Sequence, residues 1–490
     1  MLFSELLKSS GAVIRSLRHD ARVEGVCIDS RQCAPGKCYI AIKGTRVDGH
    51  RFIPVAIETG ASSIVCMDDS TIEADTPRAV VDDTRKWAGP LAQAFHGWPS
   101  RKLVTIGITG TKGKSTTAYI IRRVLEHSGT KAALLGTIEY NTTRRSIDAP
   151  NTTPDGVTLA DLCAESLSAE ASHLVMEVSS HALDQYRSAG MEFNVGVFTN
   201  LCGDHMDYHK DADSYFAAKR KLFEQLSPDA TAVVNVDDAR ASSLLDAINC
   251  DSVTFGMDNA CDLRGTIVRM NSGGTTMKLD WRGDEFEFQT PLLGRHNAYN
   301  LLSSAGAALA MGLDMNAIIP AFERGISVPG RLEAIDVEAP YRVLVDYAHT
   351  DAALENVLTL MNEIRGSGRV IVVFGCGGDR DRTKRPRMAR VAGRLADVIF
   401  VTSDNPRSEC PESIIDDIVA GFDAESLIRS TVEPDRRRAI ALAINEAREG
   451  DVVIIAGKGH ETYQIIGDTK HDFDDRQIAR EAIRAREGRR

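Results

Sequence analysis

The run Gly110-Thr111-Lys112-Gly113-Lys114-Ser115-Thr116 joins an apolar stretch to one of helical periodicity. Glycines let the backbone wrap a phosphate, and a helix N-terminus offers unpaired N–H groups with a favourable dipole. In that setting Lys114 reaches the terminal phosphates of ATP or GTP, and the hydroxyl of Ser115 or Thr116 ligates Mg²⁺. The loop is tighter than the common form, because Ile108 stands five residues before Gly113 where a glycine is usual. Glu177 ends another apolar run, His205 sits in a polar cluster, and Lys219 lies in a helical stretch. Mg²⁺ prefers oxygen ligands, which favours Glu177 and makes His205 unusual. Taken alone, Glu177 reads equally well as a buried partner for a lysine, whereas His205 reads better as a structural histidine and Lys219 as a solvated surface lysine.

Such groups need rigid positions, and the chain around them alternates strand and helix signals. Residues 103–108, 173–178, 195–199 and 231–234 read as short buried strands, with helices over 115–128 and 214–226. Further on, 369–374, 397–401 and 452–456 are strand-like, with a helix over 436–449. Continuous apolar strands alternating with helices argue for α/β architecture, a parallel sheet covered on both faces. Residues 262–290 break the pattern: Asn271-Ser272-Gly273-Gly274 reads as the turn of an inserted hairpin before a helix starting near His296.

At 490 residues the chain has room for about three domains of ~150 residues. Gly97-Trp98-Pro99-Ser100 and Val328-Pro329-Gly330-Arg331 look like joints, which divides the chain into 1–98, 99–328 and 329–490. Apolar residues make up 43%, too many for a mainly disordered chain. Lys plus Arg number 58 against 69 Asp plus Glu, a net charge of −11. That balance excludes a general nucleic-acid binder while leaving room for a local basic pocket. No apolar run approaches ~18 residues, so no membrane span is expected. The N-terminus lacks the basic-then-apolar order of an export signal. Ten cysteines without a CxxC pair fit reduced thiols, although Cys27, Cys33 and Cys38 sit close together. A cytoplasmic monomer is the expectation. The arginine-rich tail from Arg476 reads as a solvated helix.

The compact G-T-x-G-K-[ST]-T loop resembles that of the Mur ligases and folylpolyglutamate synthetases. Asn151-Thr152-Thr153-Pro154, Glu177-Val178-Ser179-Ser180-His181 and Asp204-His205-Met206-Asp207-Tyr208-His209 follow in the order of the Mur ligase family. So do Gly294-Arg295-His296-Asn297, Asp346-Tyr347-Ala348-His349-Thr350, Gly375-Cys376-Gly377-Gly378-Asp379-Arg380, Asp404-Asn405-Pro406-Arg407 and Gly457-Lys458-Gly459-His460-Glu461. Each run is weak by itself, whereas the ordered set is highly specific and spans all three proposed domains. The resemblance implies three domains, with a central P-loop, ATPase-like parallel-sheet domain and a Rossmann-like C-terminal one.

It also implies roles. Glu177, His205 and Ser115 would hold Mg²⁺ together with Lys219, which matches the family's carbamylated lysine. Lys114, Lys219 and His205 would form the catalytic group. ATP would lie on Gly110 to Thr116, with Asn297 and Asn300 near adenine and Arg331, Asp346 and His349 near ribose or phosphates. Ser30, Thr45, Asn151, Thr152, Thr153, Ser179, Gln185 and Arg187 match positions around a UDP-muramoyl-dipeptide (UDP-MurNAc-L-Ala-D-Glu). Arg385, Asp404, Asn405, Arg407, Gly457 and Glu461 match the contacts of an incoming meso-diaminopimelate. The D-N-P-R run resembles the diaminopimelate-using members, since lysine-adding relatives do not keep its arginine. Arg407 can grip the second carboxylate of diaminopimelate bidentately, and L-lysine would leave that guanidinium unpaired. Such a loss is worth ~10⁴ in discrimination in a dry site. Two positions depart from the pattern: Asp351 stands where proline is usual, and Thr383 where glycine is.

The implied reaction is ATP-driven amide formation through an acyl phosphate, in peptidoglycan precursor synthesis. A related ligase adding lysine, a dipeptide or folate glutamate is the neighbouring alternative. A P-loop switch without ligase chemistry is the alternative of a different class, and it leaves Lys219 and Arg407 unexplained.

Overall fold

In the computed structural model the described residues are 1–45, 47–203 and 208–488. Three large α/β sheets follow one another along the chain. The first has five strands in the order Ile14–Arg18, Arg78–Val81, Ser63–Cys66, Lys37–Ile40 and Gly25–Cys27, parallel except for the first. The second has eleven strands, with Val104–Thr109 near its middle between Val195–Phe198 and His173–Glu177. Its centre is parallel, and antiparallel strands at Glu139–Asn141 and Ser146–Asp148 close one edge. The third has six strands, with Val452–Ala456 flanked by Arg342–Asp346 and Val370–Phe374, parallel except at Glu333–Ala334. Val370–Phe374 and Val452–Ala456 are buried at every residue, as strands covered on both faces must be.

The expected hairpin is a three-stranded extension, Leu263–Asn271, Gly274–Trp281 and Asp284–Thr290, at the other edge of the second sheet. The helix that follows is Arg295–Ala310. The C-terminal helix Asp475–Glu487 differs from the solvated helix expected. It buries Ile478, Ala479 and Ile483 in one core with Ile440 and Ile444. Its Asp475 makes a fully buried 2.7 Å ion pair with Arg436. Small apolar residues between the arginines supply an inward face that charge counting hid.

Contacts cluster into two compact units, the first comprising 1–266, 279–286 and 299–322 and the second 267–278, 287–298 and 323–490. The first sheet and the central strands of the second share a unit, in which helix Thr84–Phe95 packs closely against the second sheet's covering layer. A Cβ at Gly89 would run into the carbonyl of Ala189, and one at Gly156 would meet the Gly89 backbone. Ala88, Leu91 and Ala92 accordingly share a core with Val157 and Ala160. All ten thiols are free. Among the described residues no helix is long and apolar enough to cross a membrane.

Candidate active site

The strand Val104–Thr109 ends in the glycine loop, and helix Lys114–His127 begins at its far side. This is the carboxyl edge of a parallel sheet, where ligands of α/β folds bind. Gly113 takes φ +87°, and a Cβ there would strike Asn300 Oδ1, so only glycine fits this turn. The loop is held from outside: Asn200 accepts from Thr111 N and Lys112 N, and Thr199 Oγ1 donates to Lys112 O at 2.7 Å. Lys114 Nζ folds back over the loop to the carbonyls of Gly110 and Thr111, both at 3.0 Å. Ser115 and Thr116 are buried at the start of the helix.

Lys219 is not a surface lysine. It is 2% exposed on helix Ala212–Glu224, and its Nζ donates to Gly110 O at 2.8 Å and lies over the Tyr215 ring. Two lysines from distant parts of the chain therefore meet at one carbonyl of the phosphate loop. Glu177 is 1% exposed at the end of its strand. Its carboxylate accepts from Thr137 N at 2.8 Å and Thr137 Oγ1 at 3.1 Å. Two expected Mg²⁺ ligands, Ser115 and Glu177, thus present hard oxygens, as that ion requires. His205 lies outside the described residues, as does the run Asp204 to Asp207. Among the described residues no group of three or more His, Cys, Asp and Glu side chains is placed to hold a metal ion.

The dipeptide-site candidates gather around Glu177. Thr137 Oγ1 meets Thr152 Oγ1 at 3.0 Å, and Thr153 Oγ1 donates to Glu177 O at 2.9 Å while accepting from Ser179 N. Arg187 donates to Thr153 O and to Gln185 Oε1, and Gln185 donates to Tyr208 Oη. Asn151 joins through its carbonyl, which accepts from Tyr140 Oη. Ser30 is buried on a short turn capped by Asp29. Thr45 is exposed, and among the described residues no hydrogen bond joins it to Ser30. Asn300 packs on the phosphate loop with Thr117. In the second unit, Asn297 donates back to Leu293 O. Asp346 accepts from Leu332 N and Ala348 N, and burial pushes its carboxyl up against the pull of Arg331. Arg331 lies over the Tyr347 ring, and the carbonyl of exposed His349 accepts from Lys384.

The third cluster forms at the ends of Val398–Val401 and Val452–Ala456. Asn405 Nδ2 donates to Glu461 Oε2 at 2.9 Å, and Asn405 Oδ1 accepts from Ile465 N. The small hairpin Tyr463–Ile466 and Thr469–Asp472 clamps Arg407, whose N–H donates to Ile465 O and whose carbonyl accepts from Gly467 N. Arg407 takes φ +52°, a sparsely populated conformation for a residue with a Cβ. Its guanidinium donates to Gly378 O at 2.8 Å. A Cβ at Gly457 would close on Asp404 Oδ2, so that glycine keeps the backbone beside the carboxylate.

Arg385 is fully buried, with its Nη groups on Glu409 at 2.8 Å and Asp417 at 2.8 Å. Its Nε is buried without a hydrogen-bond partner. Arg385 beside Glu409, helped by the N–H of Asp379, holds the Glu409 carboxyl down at about 2. Thr383, one of the departures, bonds Asp381 at the start of helix Lys384–Leu395, and Asp351 pairs with Arg387. Both are local turn chemistry and leave the burial of Arg385 intact. Sequence reasoning missed Glu409, Lys458 and Thr137. Lys458 lies within the run Gly457 to Glu461, and Glu409 stands two residues past Arg407. Thr137 carried no signal at all.

Three family models match the chain: one described as the Mur ligase family catalytic domain over 22–96, the Mur ligase middle domain over 108–308, and the Mur ligase glutamate ligase domain over 330–459. The chain is 43% identical to the UDP-N-acetylmuramoyl-L-alanyl-D-glutamate–2,6-diaminopimelate ligase of Geobacter metallireducens, covering 94% of each. It is also 43% identical to the ligase of that name from Gloeobacter violaceus, covering 100% of this chain and 99% of the relative. A solved structure of a ligase of the same name matches with a TM-score of 0.72 at 32% identity, covering 95% of each chain.

Proposed function

The chain belongs to the Mur ligase family, and from that premise we propose that it adds meso-diaminopimelate to UDP-N-acetylmuramoyl-L-alanyl-D-glutamate with the conversion of ATP to ADP and phosphate. The observation that carries the choice of amino acid is the clamped Arg407 beside Asn405 and Glu461. A guanidinium fixed in a strained loop suits the second carboxylate of diaminopimelate, and Glu461 suits an ammonium.

A carboxylate is a poor acceptor for an amine, so the D-glutamate γ-carboxylate first takes the γ-phosphoryl group of ATP. The amine of diaminopimelate then attacks the acyl phosphate, and phosphate leaves. Lys114 neutralises charge that develops on the transferring group, and the loop backbone orients it. Gly110 to Thr116, Asn297, Asn300, Arg331, Asp346 and His349 are assigned to ATP. Ser30, Thr45, Asn151, Thr152, Thr153, Ser179, Gln185 and Arg187 are assigned to the UDP-muramoyl-dipeptide. Asp404, Asn405, Arg407, Gly457 and Glu461, with Arg385, are assigned to diaminopimelate.

Ser115, Glu177 and Lys219, with His205, would hold Mg²⁺, which supplies charge neutralisation at the phosphates. The oxygens of Ser115 and Glu177 fit that ion, whereas a buried ammonium on Lys219 would repel it. A carbamate on Lys219 removes the conflict. It replaces the cation by a carboxylate and keeps one N–H for Gly110 O. Domains 1–98, 99–328 and 329–490 are then assigned to the uridine nucleotide, to ATP and the metal, and to the amino acid. The enzyme is assigned to the cytoplasm, as a monomer.

Phosphate release with the UDP-dipeptide and each candidate amino acid tests the reading. Release that requires diaminopimelate is expected. Release with no acceptor would point to a nucleotide switch, and release with L-lysine alone would sink the role given to Arg407.

A further inference from the structure

Lys458 is fully buried, yet no step above uses it. Its Nζ donates to Asn405 Oδ1 at 3.1 Å and to Glu461 Oε2 at 3.3 Å, and lies 3.8 Å from Asp404 Oδ1. One ammonium thus touches three of the residues assigned to the amino acid. A buried lysine is costly to desolvate and persists where carboxylates balance it.

The surrounding charges can be counted. Arg436 and Asp475 form a buried pair. Arg385 and Arg382 are matched by Glu409 and Asp417. The carboxylates nearest Lys458 are Asp404 and Glu461, while Asp379 acts on Arg407 and Arg436 also draws on Asp404 and Glu461. Removing Lys458 would make the surroundings of those two carboxylates more negative by one unit charge.

We infer that Lys458 is a specificity-determining positioning residue: it balances the Asp404–Glu461 pair so that the pocket accepts a net-neutral diamino dicarboxylic acid and disfavours a cationic diamino monocarboxylic acid. This rests on the ligase reading above. meso-Diaminopimelate carries two ammonium and two carboxylate groups, and L-lysine has the same ammonium groups with one carboxylate fewer. Arg407 rewards the second carboxylate; Lys458 sets the background charge against which the ammonium groups are read. One unit charge at about 7 Å and an effective dielectric of about 20 shifts preference between the two by roughly 50-fold. Lys458 also holds the Asn405 carbonyl oxygen and the Glu461 carboxylate in one place, so both effects act through its neighbours.

The test compares kcat/KM for meso-diaminopimelate and L-lysine in the full-length wild type, Lys458→Met and Lys458→Arg, by phosphate release. In Lys458→Met the ratio of diaminopimelate to lysine is expected to fall about 50-fold, carried by the amino-acid KM values, with the KM for ATP unchanged. Lys458→Arg, which keeps the charge, should stay within about threefold of wild type. Lys458→Gln makes the same charge change with a hydrogen-bond donor retained for Asn405, and it serves if the methionine variant does not fold. A wild type that ignores diaminopimelate overturns the ligase reading and this one with it. A wild type that uses it, with a ratio unmoved in the charge-removing variants, overturns this inference alone. Equal losses on both amino acids count the same way, since a purely structural role moves both together.

Discussion

Lys219 shows how far burial changes the meaning of a residue. On a helix of mixed composition it reads as solvated, yet it is enclosed and aimed at the phosphate loop from 109 residues away. If it carries a carbamate, Lys219→Ala deletes a carboxylate that no neighbour replaces. Turnover should drop by roughly 10² to 10³. Acetate or formate in the assay should restore part of it, because a small carboxylate can occupy the space left. Loss of turnover with no rescue at any acetate concentration would assign Lys219 a purely structural role. Glu409 makes a second case, since it holds both Arg385 and the Asp379 N–H. Its carboxyl lies near 2 when folded against an ordinary 4.5. A depressed carboxyl stabilises the fold above about 4.5 and loses that contribution as pH falls toward about 2. Glu409→Gln should therefore be less stable than wild type at pH 7, with the difference shrinking at pH 3. Urea unfolding at both pH values checks it, and a pH-independent difference would mean that packing, not charge, was lost.

At the scale of elements, legibility followed contiguity. The phosphate loop, its strand and its helix lie within one short run, so motif and periodicity reinforced each other. The strands were readable because full burial leaves unbroken apolar runs, and their observed bounds shift by only a residue or so from 103–108 to Val104–Thr109. The hairpin clamping Arg407 was invisible, because its strands are only four residues long, the second is polar, and its purpose depends on a loop some 60 residues earlier. The seam between the first two sheets was hidden for a related reason: close packing is written in glycines, which ordinarily signal turns. Gly89 lies inside helix Thr84–Phe95, where an alanine would normally stabilise by about 1 kcal/mol. Here the sign should reverse. The added methyl would collide with the Ala189 carbonyl, next to the chain that carries Arg187. Gly89→Ala should cost about 1–3 kcal/mol in denaturant unfolding and raise the KM for the UDP-dipeptide more than that for ATP. A stabilised variant would show that the seam yields without consequence.

For the whole molecule, a net charge of −11 is reconciled by local arrangement with two anionic substrates and a third that carries two carboxylates. Lys114 and Lys219 face the phosphate loop, Arg187 the dipeptide cluster, and Arg407 the amino-acid cluster, while acidic residues dominate elsewhere. The residues assigned to the UDP-dipeptide lie in one compact unit and those assigned to diaminopimelate in the other, and each unit has cores of its own. Separate cores permit separate unfolding. All three tryptophans, Trp87, Trp98 and Trp281, lie in the first unit. Tryptophan fluorescence therefore follows that unit alone, whereas far-UV circular dichroism follows both. Every residue assigned to the UDP-dipeptide also lies in the first unit. Saturation at about 100 Kd adds about 2.7 kcal/mol to the unit that binds, which for a domain of this size is a rise of roughly 5 °C. The UDP-dipeptide should accordingly raise the fluorescence-detected Tm by that amount and move only one component of the circular dichroism melt. Fluorescence and dichroism curves that coincide with and without ligand would show instead that the chain unfolds as one cooperative body, its two units coupled by more than their separate packing requires.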